Sequence, residues 1–170
     1  EEIAQQIRHG APEFDTIAIT AFSGGSQAGL LMAKQLYGVR AQIVGVPIAW
    51  DAARVRDYVA GIIAEARRRY GLAVEAPAEI RLLDGYQGAG RAEVRPEELE
   101  TVVRVARLEG LVLDPVYTAK AFRGLLDRLR RDPRELGPRV CFIHTGGVFS
   151  LFPFRNPLSR MLGGEGLIES

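Results

Sequence analysis

A segment rich in glycine and serine follows the first apolar run of the chain and contains Ser23, Gly24, Gly25, Ser26 and Gln27. Two adjacent glycines let the backbone turn its N–H groups toward one point, and a helix that starts here adds the positive end of its dipole. The segment has neither the Gly-Lys-Ser/Thr of a Walker loop nor the GxGxxG spacing. It therefore predicts a binding site for a phosphate or a carboxylate. The alternative is a tight turn whose serine only caps the helix.

A second group of polar residues lies in the run DPVYTAK. Asp114 can cap a helix that has Pro115 at its first position, and Tyr117 and Thr118 then fall in the first turn, facing the strand ends. A tyrosine in such a place is more often a packing residue with a solvated hydroxyl. Lys120 has the amine that covalent catalysis uses, but such an amine needs a desolvated pocket, and we expect Lys120 to be solvated.

The third group, HTGG, follows the last apolar run. Thr145 can direct a hydroxyl at a ligand, and Gly146 and Gly147 permit its close approach. We expect His144 to be half-buried with its hydrogen bonds satisfied, and His9 to lie on the surface. Two distant histidines and one cysteine predict no metal site and give no strong case for a Ser-His-Asp or Cys-His arrangement.

The elements that must position these groups alternate between apolar runs and helical patterns. Short strands that alternate with helices predict an α/β fold with a parallel sheet and helices on both faces. In such sheets ligands bind beyond the carboxyl ends of the strands, where the three groups are expected. The predicted strands are 16–22, 42–48, 80–83, 111–113 and 139–145, and the predicted helices are 26–37, 52–70, 96–109 and 115–131.

The composition limits the class of protein. A length of 170 residues predicts one domain, 1–170, and a net charge of +1 excludes a polybasic nucleic-acid binder. No apolar run approaches the roughly 20 residues of a membrane helix. The start, EEIAQQIRHG, does not resemble a signal peptide, and the lone Cys141 favours a reducing, cytoplasmic location.

Taken together and in this order, the runs SGGSQAGL, EGLVLDPVYTAKA and FIHTGG resemble pyridoxal-phosphate-dependent enzymes of the D-cysteine desulfhydrase and 1-aminocyclopropane-1-carboxylate deaminase family. The resemblance extends from about Phe14 to Phe152, and the EGLVLDPVYTAKA run is its most specific part. It implies a tryptophan-synthase β-subunit-like fold, called fold type II, of which this chain would form most of the large domain.

The resemblance also implies roles for individual residues. Residues 23–27 would bind the phosphate of the cofactor, and Tyr117 would lie over the cofactor beside the substrate and act in proton transfer. Thr118 and Thr145 would contact the cofactor, with Thr145 close to the pyridine nitrogen. Family members that open the cyclopropane ring resemble one another in having glutamate and leucine at these two positions. The two threonines therefore favour β-elimination, for which a hydroxyl on a neutral nitrogen suffices.

Two features depart from the family pattern. In the glycine-rich loop, residues 84–90, Tyr86 matches a first family tyrosine, but Arg91 stands where a second would fall. We expect both residues to bind substrate, with Arg91 able to bind a carboxylate. The family's Schiff-base lysine and its substrate-carboxylate loop lie in an N-terminal half that nothing here matches, and neither Lys34 nor Lys120 corresponds to that lysine.

The chain begins in a helical pattern without an initiator methionine, so we expect it to be the C-terminal half of a longer enzyme. The full-length enzyme, expected to be a homodimer, would use pyridoxal phosphate to convert a small amino acid such as D-cysteine to pyruvate, ammonia and sulfide. The chain alone would be inactive. The alternatives are a cyclopropane-carboxylate deaminase, a non-catalytic domain that binds pyridoxal phosphate or phosphate, and an interaction domain without a ligand.

Overall fold

The computed structural model describes residues 1–88, 90 and 93–163. Its strands are β1 (Thr16–Ala21), β2 (Gln42–Pro47), β3 (Arg81–Leu82) and β4 (Val140–Ile143). Its α-helices are α1 (Glu2–Arg8), α2 (Gly25–Tyr37), α3 (Ala52–Tyr70), α4 (Pro96–Glu109), α5 (Thr118–Arg131) and α6 (Arg155–Met161), and a 3₁₀ helix covers Val148–Phe154.

The strands form one parallel sheet in the order β3-β2-β1-β4. In its register, Ile17 lies between Ile43 of β2 and Cys141 of β4. All four strands therefore end at the same edge of the sheet, which is the edge that the sequence assigns to ligand binding. The predicted parallel α/β architecture is confirmed.

Side chains along the central strands alternate between the two faces of the sheet, and both faces are buried by helices. Ile17 and Ile43 are buried with the apolar sides of α2 and α3, whereas Ala18 and Val44 are buried on the other face with α5. Successive strand residues point to opposite faces, so a run that is apolar throughout is buried on both. Helix α4 forms a further layer against α5 and α6, where Val102 and its neighbours make a third cluster.

Helices α3 and α4 begin and end at capping, proline and glycine residues that the sequence identifies. Asp51 caps α3 by accepting a hydrogen bond from the backbone N–H of Arg54 at 2.8 Å, and α3 ends at Gly71 in the left-handed conformation. Helix α4 has Pro96 in its first turn and ends at Gly110 in the same way. None of the helices in the described ranges is long and apolar enough to cross a membrane.

The strand predicted at 111–113 is wrong, because within the described part of the chain this segment has no neighbouring strand to pair with. Strand β4 lies directly beside β1, and the segment runs outside the sheet with Leu111 57% exposed and Val112 47% exposed. Leu113 alone of the three is buried. Helix α5 also begins at Thr118, three residues later than Pro115, because a turn built around Asp114 precedes it.

Candidate functional site

The turn between β1 and α2 contains the glycine-serine segment, residues 23–27. Strand β1 ends at Ala21 and α2 begins at Gly25, so Gly24 is the residue before the helix, in the left-handed conformation with φ +80°. A Cβ atom on Gly24 would lie 2.7 Å from Cγ2 of Val59 on α3. Glycine is therefore required here both for the turn and for its packing against α3.

The start of α2 presents backbone N–H groups that the helix itself does not use. The N–H of Ala28 donates to Gly24 O at 2.9 Å, so the N–H groups of Gly25, Ser26 and Gln27 precede the first helical hydrogen bond, and Gly24 has no side chain to cap them. A Cβ atom on Gly25 would meet no atom of the described residues within 4 Å, so the space next to it is open in this part of the chain. These residues fit a phosphate group at the helix start.

The side chain of Gln27 turns away from this open space. It is fully buried, and its Nε2 donates to the backbone oxygen of Arg81 in β3 at 2.9 Å. Its Oε1 lies against Gly45 of β2, where a Cβ atom would overlap it. The side chain therefore holds α2 on the sheet, and only its backbone N–H remains for a ligand.

Asp114 organises the start of α5. This fully buried carboxylate accepts hydrogen bonds from the backbone N–H groups of Val116 at 2.9 Å, Tyr117 at 2.8 Å and Thr118 at 2.8 Å. The hydroxyl of Ser150, in the 3₁₀ helix, donates to the same carboxylate at 2.9 Å. Asp114 thus fixes the backbone of Tyr117 and joins the turn to the segment that follows β4.

Thr118 belongs to this cap and not to an open surface. It is fully buried, and its Oγ1 donates to Asp114 Oδ1 at 2.7 Å and accepts from the Asp114 N–H at 2.8 Å. Both hydrogen-bonding capacities of the hydroxyl are taken up inside the protein. The expected contact between Thr118 and the cofactor stays a prediction; the contacts that the structure shows for its hydroxyl are with Asp114.

An aromatic cluster links Tyr117 to the glycine-serine segment. The ring of Phe22, the residue before Ser23, lies edge-on to Tyr117 with centroids 6.3 Å apart, and 4.8 Å from the ring of Trp50. Sequence reasoning did not select Phe22 and Trp50. Their positions, immediately after β1 and three residues after β2, are the signal that could have identified them.

The HTGG turn, residues 144–147, packs against the same cap. Gly147 has φ +95°, and a Cβ atom there would lie 2.8 Å from Cγ of Asp114. Thr145 is exposed in this turn, just beyond the end of β4. Tyr117, Thr145 and the glycine-serine segment are thus all placed at the carboxyl edge of the sheet.

His144 supports the turn through both ring nitrogens. The N–H of Gly146 donates to Nδ1 at 3.0 Å, so Nε2 bears the proton and donates to the carbonyl of Val112 at 2.9 Å. The hydrogen bonds are satisfied as expected, but the residue is exposed and not half-buried. His9 is exposed, as expected.

Tyr86 does not point toward this edge. It is buried, its ring packs on Gly124, and its hydroxyl donates to Oδ2 of Asp127 on α5 at 2.5 Å. Burial, followed by the hydrogen bond and the charge of Asp127, raises the pKa of Tyr86 to about 12. The expected contact between Tyr86 and substrate stays a prediction; in the structure the Tyr86 hydroxyl is bound to Asp127. Arg91, the second expected substrate contact, lies outside the described residues.

Lys120 is buried, contrary to the expectation of a solvated lysine. It is 1% exposed, and its Nζ donates to the carbonyl of Gly90 at 2.7 Å and to that of Gln87 at 3.4 Å. Burial lowers the pKa of Lys120, an effect that the negative charge of Glu98 opposes. The amine is therefore committed to the glycine-rich loop.

Other parts of the described chain offer less chemistry. No cluster of three or more His, Cys, Asp or Glu residues arranged to hold a metal occurs among the residues described. Depressions of about 580 and 570 Å³ lie on the outer faces of α3 and α4, and none of their lining residues belongs to the three polar groups at the carboxyl edge. The carboxyl edge is accordingly the candidate site.

Comparisons with known proteins agree with this assignment. The model of a family described as pyridoxal-phosphate dependent enzyme matches residues 1–146. A Thermotoga maritima protein named "Putative 1-aminocyclopropane-1-carboxylate deaminase" is 38% identical over 142 residues, which cover 82% of this chain and 43% of that protein. A Yersinia enterocolitica protein named D-cysteine desulfhydrase is 37% identical over 154 residues, which cover 90% of this chain and 46% of that protein.

Among solved structures, the crystal structure of an ACC deaminase homologue matches with a TM-score of 0.79 and 30% identity, covering 94% of this chain and 48% of that one. The predicted fold type II arrangement is therefore confirmed. This chain spans about half the length of the curated relatives it matches.

Proposed function

The chain belongs to the family of pyridoxal-phosphate-dependent enzymes, and from this premise we propose that the full-length protein converts a small amino acid such as D-cysteine, with water, to pyruvate, ammonia and sulfide. The observation that carries the proposal is the meeting of three groups at one sheet edge. They are the open start of α2, Tyr117 held by Asp114, and the HTGG turn packed on that same Asp114.

Pyridoxal phosphate, when bound, supplies an electron sink for bond cleavage at the α-carbon of an amino acid. The backbone N–H groups of Gly25, Ser26 and Gln27 would bind its phosphate, and the hydroxyls of Ser23 and Ser26 are available beside them. The positive end of the α2 dipole favours the same dianion.

Tyr117 is the proton-transfer residue of this proposal. Its backbone N–H is bound to Asp114 and its ring lies against Phe22, so both ends of the residue are restrained next to the glycine-serine segment. The phenol Oη would donate or accept a proton beside the bound substrate. A positioned general acid or base contributes about 10²–10⁴-fold to a rate.

Thr145 is the residue on which the proposed preference for elimination over ring opening rests, because the hydroxyl of Thr118 is bound to Asp114. The exposed hydroxyl of Thr145 would donate to the pyridine nitrogen and leave that nitrogen neutral. A neutral nitrogen suffices when a thiolate leaves from the β-carbon, whereas an unactivated cyclopropane carbon needs a stronger electron sink. Ring opening of the cyclopropane amino acid remains the second candidate, because relatives of similar identity bear that name.

The cofactor-binding lysine is proposed to come from outside this chain. The chain has two lysines: Lys120 is bound to the glycine-rich loop, and Lys34 lies on α2 beyond the glycine-serine segment. We infer that residues 1–170 form a portion of the large domain, that an N-terminal half completes the site, and that the whole enzyme is a homodimer. This chain alone would not release sulfide.

The experiment compares the full-length protein with two variants in the presence of pyridoxal phosphate. We expect sulfide release from D-cysteine, with kcat reduced about 100-fold by Tyr117→Phe, as for loss of a positioned proton-transfer group. Tyr70→Phe is the matched control, because Tyr70 is 68% exposed at the end of α3, and its kcat should stay within about 2-fold of the wild type.

The outcomes separate the candidates. Turnover of the cyclopropane amino acid to 2-oxobutanoate, without sulfide release from D-cysteine, would replace elimination by the second candidate. An unchanged kcat in Tyr117→Phe would remove Tyr117 from the mechanism. Sulfide release by residues 1–170 alone would overturn the proposed origin of the lysine.

A further inference from the structure

The glycine-rich loop follows β3 at the carboxyl edge of the sheet, next to the candidate site. Its described residues form no helix or strand, and Gly85, Gly88 and Gly90 all have positive φ angles, of 98°, 65° and 156°. Backbone of this kind has many accessible conformations, so contacts from outside the loop must select the one observed.

One face of α5 supplies those contacts. Lys120, Gly124 and Asp127 are spaced four and three residues apart, which places them on the same side of a helix. Tyr86 of the loop packs its ring on Gly124 and donates its hydroxyl to Asp127, while Lys120 donates to the carbonyl of Gly90. The helix that begins beside Tyr117 therefore holds the loop at Tyr86 and at Gly90.

The opposite side of the loop contacts the aromatic cluster. Nε2 of Gln87 donates to the backbone oxygen of Trp50 at 3.0 Å, and Trp50 packs on Phe22. Gln87 is also the residue whose own carbonyl accepts from Lys120 at 3.4 Å. The loop thus bridges α5 and the segment after β2, across the edge where Tyr117 lies.

The hydrogen bonds from Lys120 to the loop are made by its ammonium group. The group is nearly inaccessible to water, and among the described residues it donates to two carbonyl oxygens of the loop. A buried ammonium strongly destabilises a protein unless it is well hydrogen-bonded. Nearby charges come from α4 and from the residues before it: Glu98 and Glu93 favour the ammonium form, and Arg95 opposes it.

We propose that Lys120 is a positioning residue that fixes the glycine-rich loop beside the aromatic cluster at the carboxyl edge and so sets the affinity for the amino-acid substrate. This rests on the proposed function for the identity of the substrate, and on the described contacts for the position of the loop. Without the ammonium, the carbonyls of Gln87 and Gly90 lose their shared donor, and the loop samples other conformations. Tyr117 and the glycine-serine segment keep their own supports.

The test uses Lys120→Met in the full-length protein, with Lys34→Met as a matched control at the other lysine of this chain. We expect amide hydrogen exchange in residues 84–88 to accelerate about 10-fold in Lys120→Met alone. We expect KM for D-cysteine to rise about 10-fold with kcat changed less than about 3-fold, because misplacement of a binding loop weakens substrate positioning.

A general loss of stability would instead lower the active fraction and leave KM unchanged, and that result would overturn the proposal. Unchanged exchange in residues 84–88 would also overturn it. If Lys120→Met does not fold, Lys120→Arg and Lys120→Gln replace it. Exchange protection of residues 84–88 that is retained in the arginine variant and lost in the glutamine variant supports the charged contact. Equal protection in both variants refutes the charged contact. A wild type that is inactive on D-cysteine refutes the proposed function, while the exchange comparison still decides the role of Lys120.

Discussion

Thr118 and Asp114 bind each other in both directions: the threonine Oγ1 donates to Oδ1 of the aspartate at 2.7 Å and accepts from its backbone N–H at 2.8 Å. Both residues are fully buried. This reciprocal pair closes the turn that precedes α5, in which the Asp114 carboxylate also accepts from the backbone N–H of Tyr117. Part of the most specific run of the sequence, DPVYT, is therefore explained by local structure.

Thr118→Val should lower the free energy of unfolding by about 2–4 kcal/mol, because the isosteric side chain leaves the buried Asp114 N–H and carboxylate without this partner. Thr20→Val is the matched control. The Thr20 hydroxyl is buried without a hydrogen-bond partner among the described residues, so its removal should be neutral or slightly stabilising. Urea denaturation of both variants provides the comparison, and equal losses of stability would contradict the capping role.

Gly24→Ala and Gly25→Ala should differ sharply in their free energy of unfolding. Alanine at position 24 must adopt φ near +80° and would bring its Cβ within 2.7 Å of Val59 Cγ2, so we expect a loss of about 2–4 kcal/mol in unfolding free energy. Alanine at position 25 would meet no atom of the described residues within 4 Å and should leave stability within about 1 kcal/mol of the wild type.

The same pair tests the proposed phosphate site in the full-length protein. The methyl group of Gly25→Ala would occupy the open space at the start of α2, so we expect weaker binding of pyridoxal phosphate, measured by equilibrium titration. Unchanged affinity in Gly25→Ala would place the phosphate elsewhere.

Most of the sheet was predictable because its strands are short apolar runs bounded by glycine, proline or a capping residue. The helix Ala52–Tyr70 was predicted to the residue, since Asp51 and Gly71 mark its ends in the sequence. The structure of residues 111–113 was not predicted correctly, because three apolar residues also occur in loops that cover a sheet. The strand with which a segment pairs cannot be inferred from that segment alone.

Side-chain direction was the less predictable part of the site. The location of the glycine-serine segment and of Tyr117 was easier to predict, because it depends on the course of the backbone at the strand ends. The expectation that Lys120 is solvated was wrong, and the partners of Tyr86 were not predicted. Both residues take their surroundings from a face of α5 that packs back against the loop, a long-range contact that local sequence does not encode.

Tyr86→Phe should reveal an alkaline transition. The pKa of Tyr86 is raised from 10.0 to about 12 in the folded state, so its contribution to stability is fully present below pH 10 and is lost as the pH rises toward 12. At pH 7 the variant should be about 1–3 kcal/mol less stable, because the hydrogen bond to Asp127 is absent.

The stability difference between wild type and Tyr86→Phe should therefore shrink between pH 10 and 12, as measured by denaturation at each pH. The other tyrosines are present in both proteins and cancel in the difference. A difference that stays constant over this range would mean that the hydroxyl is not protected in the folded state.

Glu98 at the start of α4 makes a buried charge cluster that borders the glycine-rich loop. Its Oε1 lies 2.9 Å from Arg95 Nη2 and 3.0 Å from Arg123 Nη1, and its Oε2 accepts from the Arg95 N–H at 2.6 Å. The guanidinium of Arg95, whose pKa the Glu98 carboxylate raises, also lies beside Gly88 of the loop.

Glu98→Gln should lower the free energy of unfolding by about 2–3 kcal/mol, because two guanidinium groups lose a buried counter-charge; both arginines are partly solvated, which keeps the loss below that of a fully buried pair. Glu97→Gln is the matched control, since Glu97 is exposed in the same helical turn and should change stability by no more than about 0.5 kcal/mol. Because Arg95 and Lys120 flank the same loop, Glu98→Gln should also accelerate amide exchange in residues 84–88, though less than Lys120→Met does. Destabilisation by Glu98→Gln no larger than by Glu97→Gln would show that the cluster is maintained by packing and not by charge.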